Sequence, residues 1–179
     1  RSYKSIGKWT KNIETNMPFN LTGSQLKVIN EIKKDLTETS PMMRLVQGDV
    51  GSGKTIVSIL SILNVIKSGY QCALMSPTEI LAKQHYTLIK KIFKNENFSI
   101  GFLTGKTEYK LKKIILTNLT SGKIKLLIGT HALFQKKINF HKLGLVVIDE
   151  QHKFGVKQRS DLAKKGGDEC DVLLMSATP

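Results

Sequence analysis

Gly48-Asp49-Val50-Gly51-Ser52-Gly53-Lys54-Thr55 has the spacing G-x-x-x-x-G-K-[ST] and stands between two apolar stretches, Met43-Arg44-Leu45-Val46 and Ile56 to Ile66. Nothing else in the chain constrains the fold as strongly, because it asks for a strand, a glycine-rich turn and a helix in immediate succession. Glycines let backbone N–H groups turn inward without a Cβ in the way, which makes a nest for an anion. The helix that follows adds the positive end of its dipole. Gly48 and the segment Val50 to Thr55 therefore read as a cradle for a nucleotide triphosphate. Lys54 would reach the β- and γ-phosphates, and the Thr55 hydroxyl would ligate Mg²⁺. A glycine-rich turn with a solvated lysine, the bland alternative, would not call for the apolar segments on either side.

A second constellation lies about a hundred residues on. Leu145-Val146-Val147-Ile148 is an unbroken apolar run, the pattern of a strand buried on both faces, and Asp149-Glu150-Gln151-His152 follows it. Asp149 at the strand end would hold Mg²⁺, through water, because that ion sheds its hydration reluctantly. Glu150 would orient or deprotonate an attacking water, as phosphoryl transfer requires. His152 is placed to couple the γ-phosphate site to a neighbouring element; otherwise it is an ordinary loop histidine. Alone, the acid pair would read as surface. Together with the upstream loop it reads as catalytic.

The 179 residues suffice for one α/β domain with a sizeable core. The chain begins at Arg1 and stops at Pro179 directly after a motif, so it is expected to be a piece of a longer protein. The N-terminus has no secretory signal, and Ile56 to Ile66 falls short of the ~20 residues needed to cross a bilayer. Cys72 and Cys170 show no C-x-x-C spacing; Cys72 reads as a small core residue, and the setting as cytoplasmic, without zinc or membrane. The formal net charge is +14, and between Ile80 and Lys142 thirteen lysines face only two acids, Glu96 and Glu108. A basic stripe of that kind is the footprint of a phosphate backbone, although a lysine-rich composition with solvated helix faces would look the same.

Strands are expected at Met43–Gln47, Cys72–Met75, Ser99–Leu103, Lys125–Ile128, Leu145–Ile148 and Val172–Met175. Between them run helical patterns near Lys54–Lys67, Glu79–Lys94, Glu108–Ser121 and Gln158–Lys164. A capped helix from Thr22 or Ser24, ending before Pro41, precedes them. This alternation predicts an α/β fold with a mostly parallel β-sheet flanked by helices on both faces. Catalytic loops gather at the carboxyl ends of such strands, and every motif named here falls at one. Residues 1–20 are polar, with Trp9 and Phe19 isolated, and read as a linker or the edge of a preceding domain; residues 21–179 form the domain itself.

The remaining strand ends carry Ser76-Pro77-Thr78-Glu79, Thr104-Gly105-Lys106, Gly129-Thr130-His131-Ala132-Leu133 and Ser176-Ala177-Thr178. In this order the set resembles the motifs of superfamily 2 helicases, in their first RecA-like P-loop NTPase domain. Pro18-Phe19-x-Leu21-Thr22-x-x-Gln25, Pro41-Met42-x-Arg44-Leu45, Gln47 to Thr55 and Asp149-Glu150-Gln151-His152-x-Phe154-Gly155-Val156 look like the RecG family of branched-DNA helicases. The resemblance implies an ATP- and Mg²⁺-dependent motor that remodels stalled forks and Holliday junctions in recombination and repair. It also implies that Gln25 recognises the adenine edge with Phe19 packing on the base. Thr78, Gly105, Lys106, Thr130 and His131 would line the DNA track through phosphate contacts. Ser176 and Thr178 would link the nucleotide site to domain movement. The partners implied are branched double-stranded DNA, a second RecA-like domain carrying arginine fingers, and a DNA-recognition wedge domain of the same chain. The isolated domain would then bind nucleotide weakly and hydrolyse little.

Lys153 stands where the family pattern leads one to expect arginine, which keeps the charge and loses bidentate geometry. The transcription–repair coupling translocases have a similar motor, but they carry Phe where Ser52 stands and Glu where Gln151 stands. A nucleotide-dependent switch without a DNA track would make the basic stripe and four strand-end motifs coincidental. An RNA track differs only through the 2′-OH, so the preference for DNA rests on the resemblance alone.

Overall fold

The computed structural model describes residues 23–37, 43–48, 54–150 and 170–177. Their elements in chain order are α1 (Gly23–Thr37), β1 (Met43–Gly48), α2 (Lys54–Lys67), β2 (Gln71–Met75), α3 (Glu79–Ile92), β3 (Ser99–Leu103), α4 (Tyr109–Thr120), β4 (Ile124–Gly129), a 3₁₀ turn (His131–Phe134), β5 (Leu143–Glu150) and β6 (Asp171–Ala177). The expected linker at 1–20 and the helical pattern at Gln158–Lys164 lie outside the described residues, as do Phe19, Val50, Gly51, Ser52, Gly53, His152 and Thr178.

The six strands form one sheet in the order β1-β6-β5-β2-β4-β3, with every pairing parallel. Chain direction across this order explains the layering. From β1 to β2 to β3 the chain moves one way across the sheet, and from β3 to β4 it turns back. Parallel crossovers are right-handed, so reversing direction moves the connecting helix to the other face. Accordingly α1, α2 and α3 pack in one apolar layer with Cys72, Leu74, Leu145, Val147 and Leu173. Ile115 and Leu119 of α4 pack in the opposite layer with Ala73, Met75, Val146, Ile148 and Val172.

Helix α2 is buried from Ile56 through Ile66, polar residues included. A helix apolar nearly all round belongs inside, and it lies between the sheet and Ile29 and Ile32 of α1. Its serines are satisfied within the helix: Ser58 Oγ donates to Thr55 O at 2.7 Å and Ser61 Oγ to Val57 O at 2.8 Å. Gly69, at φ +94°, ends the helix by a paired closure: Gly69 N–H donates to Ile66 O and Tyr70 N–H to Val65 O. Cys72 is fully buried, as the apolar pattern predicts, and burial first, with Cys170 and Asp171 adding to it, pushes its thiol well above the usual range.

Every strand but β3 runs one or two residues beyond the sequence reading at one end or both, and α3 and α4 are slightly shorter than it. β2 begins at Gln71, whose side chain is buried: Nε2 donates to Leu119 O at 2.9 Å and Ile124 O at 2.7 Å, and Oε1 accepts from Lys142 N at 2.7 Å. β5 runs on through Glu150, because β6 extends far enough to pair Glu150 with Ser176. The two acids are therefore the last residues of the strand and not the first of the loop.

Candidate functional site

Because all strands run the same way, every strand-end motif reaches one edge of the sheet. The order of strands divides that edge into two contiguous halves. On β1, β6 and β5 end the phosphate-loop strand at Gly48, the Ser176 strand and the acid strand. Ser176 lies between them, paired with Gln47 on one side and Glu150 on the other. On β2, β4 and β3 end the strands that lead to Thr78, to Thr130 and His131, and to Gly105 and Lys106.

In the first half, Lys54 and Thr55 open α2, both half-buried, and α2 packs against β1 and β5. Asp149 is buried, 7% exposed, on the face of β5 shared by Leu145 and Val147, the face that α2 and α3 cover. Its Oδ2 lies 2.8 Å from Nε2 of His85. A carboxylate only accepts, so the Nε2 proton is donated to it. Among the described residues Oδ1 has no such partner. Of Gln25, only its place in α1 is described, and of Glu150 only its backbone.

In the second half, Thr78 caps α3: its Oγ1 accepts from Leu81 N at 3.2 Å, and the residue is exposed. The cap fits the β-region backbone of Thr78 and leaves the first turn of α3 facing the edge. After β3, Thr107 Oγ1 accepts from Thr104 N at 2.9 Å and Thr104 Oγ1 from Lys106 N at 3.2 Å. That tight turn holds Gly105 and Lys106 out to solvent. Lys106 Nζ stands 3.8 Å from Glu79 Oε2, an exposed pair of little energetic weight. His131 is exposed as well. Thr130 is 8% exposed; its N–H donates to Leu103 O and its C=O accepts from Leu133 N, so its backbone builds the turn that carries His131.

The basic stripe does not map onto this edge as a block. Lys90, Lys91, Lys94, Lys123, Lys125 and Lys142 lie near the amino ends of the strands, where helices finish and strands begin. A run of sequence in a parallel sheet winds between both ends, so charge contiguous in sequence is split in space. Several lysines are also drawn over aromatic rings, Lys142 over Tyr70 at 4.3 Å and Lys83 over Tyr86 at 5.1 Å.

His85 escaped the sequence reading. Its signal is positional: Ala82, Ile89 and Ile92 are the buried residues of α3, and His85 stands at the same helical spacing, one polar residue in an apolar stripe.

A family model described as DEAD/DEAH box helicase matches residues 22–179. The chain belongs to that family. This helicase domain is 52% identical over 163 residues to the ATP-dependent DNA helicase RecG of Synechocystis sp., covering 91% of this chain and 20% of that protein. It is 50% identical over 173 residues to the ATP-dependent DNA helicase RecG of Aquifex aeolicus, covering 96% of this chain and 22% of that one. A solved structure of RecG bound to a three-way DNA junction matches with a TM-score of 0.88 at 43% identity, over 99% of this chain and 24% of that one. The fold is thus the RecA-like helicase domain, and the chain spans about a fifth to a quarter of the length of these relatives. No helix among its described residues is long and apolar enough to cross a membrane.

Proposed function

We propose that this chain is the nucleotide-binding motor domain of an ATP-dependent DNA helicase that remodels branched DNA. The observation that carries the reading is the divided edge: residues for a triphosphate on β1-β6-β5, residues suited to a backbone track beside them on β2-β4-β3. ATP would lie on the nest from Gly48 to Thr55, with Lys54 on its β- and γ-phosphates and Phe19 and Gln25 at the adenine. The donor set suits Mg²⁺: a hydroxyl, Thr55, and a buried carboxylate, Asp149, with one oxygen lacking a partner among the described residues. When bound, that ion supplies charge neutralisation at the phosphates. Glu150 would hold the attacking water, and His152, Ser176 and Thr178 would carry the state of the site to a neighbouring domain.

Thr78, Gly105, Lys106, Thr130 and His131 would contact DNA phosphates, which position a strand without reading its sequence. The greater length of the relatives leaves room for a second RecA-like domain with arginine fingers and for a junction-recognising wedge, both proposed as partners in the same chain.

The test uses the full-length parent protein and measures ATP hydrolysis with forked DNA, linear duplex or no DNA. Forks are expected to stimulate well beyond linear duplex, and Lys54→Ala is expected to abolish the stimulated rate. Equal stimulation by linear duplex would point to a duplex translocase. No stimulation by any DNA would leave only a nucleotide switch.

A further inference from the structure

The two halves of the edge meet where β5 lies beside β2, and among the described residues a side-chain hydrogen bond spans that junction. His85 belongs to α3, the helix that follows β2, and its Nε2 reaches Asp149 Oδ2 on β5 at 2.8 Å. The side chains are 13% and 10% exposed, so water competes little for the bond. Among the described residues His85 is the one hydrogen-bond partner of this carboxylate. The ring is carried on a firmly seated element: Thr78 caps α3, and Ile89 and Ile92 anchor its far half in the core.

We infer that His85 is a positioning residue for the Mg²⁺–ATP site: by donating to Asp149 Oδ2 it fixes the carboxylate rotamer and keeps Oδ1 as the oxygen offered to the hydrated ion. The inference rests on the reading that Asp149 holds Mg²⁺. A buried carboxylate without this donor has two equivalent oxygens and freedom about its terminal torsion, so fewer of its orientations suit the ion. Partners that orient a metal-holding side chain in this way are commonly worth about 10- to 100-fold in metal affinity. Because the donor sits on α3 and the acceptor on β5, the Mg²⁺ carboxylate is also tied to the helix whose capped first turn faces the proposed DNA track.

The experiment follows binding of a fluorescent ATP analogue to the full-length parent protein across Mg²⁺ concentrations, without turnover. His85→Ala is expected to raise the Mg²⁺ concentration at half-maximal binding about tenfold, with binding in EDTA unchanged. His85→Gln, whose amide reaches as far as Nε2, is expected to stay within about threefold of the parent, while the shorter His85→Asn behaves like alanine. A parental Mg²⁺ midpoint in His85→Ala overturns the inference. Should alanine disturb folding, the glutamine and asparagine variants decide, and equal midpoints in those two overturn it as well. Asp149→Asn separates the two levels. If it leaves the Mg²⁺ midpoint at the parental value, the metal role of Asp149 fails. If it shifts the midpoint and His85→Ala does not, only the positioning role fails.

Discussion

A Cβ built on Gly129 would stand 1.9 Å from the Leu103 carbonyl oxygen and 3.2 Å from Leu133 Cδ2. The nearer atom is backbone, held in the β3–β4 register that pairs Leu103 with Gly129, and it also accepts the Thr130 N–H. It has nowhere to go. Gly129→Ala is therefore expected to cost about 3 kcal/mol or more, read as a lowered midpoint of urea denaturation. Gly105→Ala is the matching control: nothing lies within 4 Å of its Cβ, so its stability should change by no more than about 0.5 kcal/mol. Both glycines stand in strand-end motifs that look alike in sequence. Only the fold separates them, because the crowding atom at Gly129 comes from another strand. His85 makes the same point for chemistry, since its partner Asp149 is 64 residues away.

Among the elements, strands and helices were legible wherever periodicity or an apolar run recorded burial; α2 and β3 follow their expected ranges closely. Legibility failed where a polar residue was buried by backbone partners. Gln71 falls just outside the strand expected at Cys72–Met75, yet its side chain joins the last turn of α4, the first residue of β4 and the approach to β5. No pattern in sequence announces three partners drawn from three other segments. Gln71→Leu keeps the bulk and strands two carbonyl oxygens and one N–H. It is expected to cost about 2–4 kcal/mol, a fall in thermal midpoint of roughly 5–10 °C by circular dichroism. A smaller loss would mean that water takes over those groups. Ser76 Oγ, just past the end of β2, is the opposite case, a buried polar atom without a hydrogen-bond partner among the described residues.

At the scale of the molecule, the six strands of the described residues, about 4.8 Å apart, set an edge of roughly 24 Å, wide enough for a nucleotide and a nucleic-acid backbone side by side. The alternation of strands and helices announced that edge from sequence, since parallel strands bring all their carboxyl ends together. It could not announce which motifs become neighbours, because strand order depends on packing between distant segments. The charge reading was limited in the same way, with lysines contiguous in sequence parted to opposite ends of the sheet. One consequence of the order concerns biosynthesis. Among the described residues β6 is the last strand in sequence, yet it fills the gap between β1 and β5, and it is the described strand with which β1 pairs. A chain released after residue 170 should leave β1 and α1 open to limited proteolysis, whereas the chain carrying Asp171–Ala177 should protect them. On the ribosome β1 must wait through the synthesis of four further strands for its neighbour, a contact of long sequence separation that slows folding. The phosphate-loop strand, translated first of the six, is thus among the last to find its place.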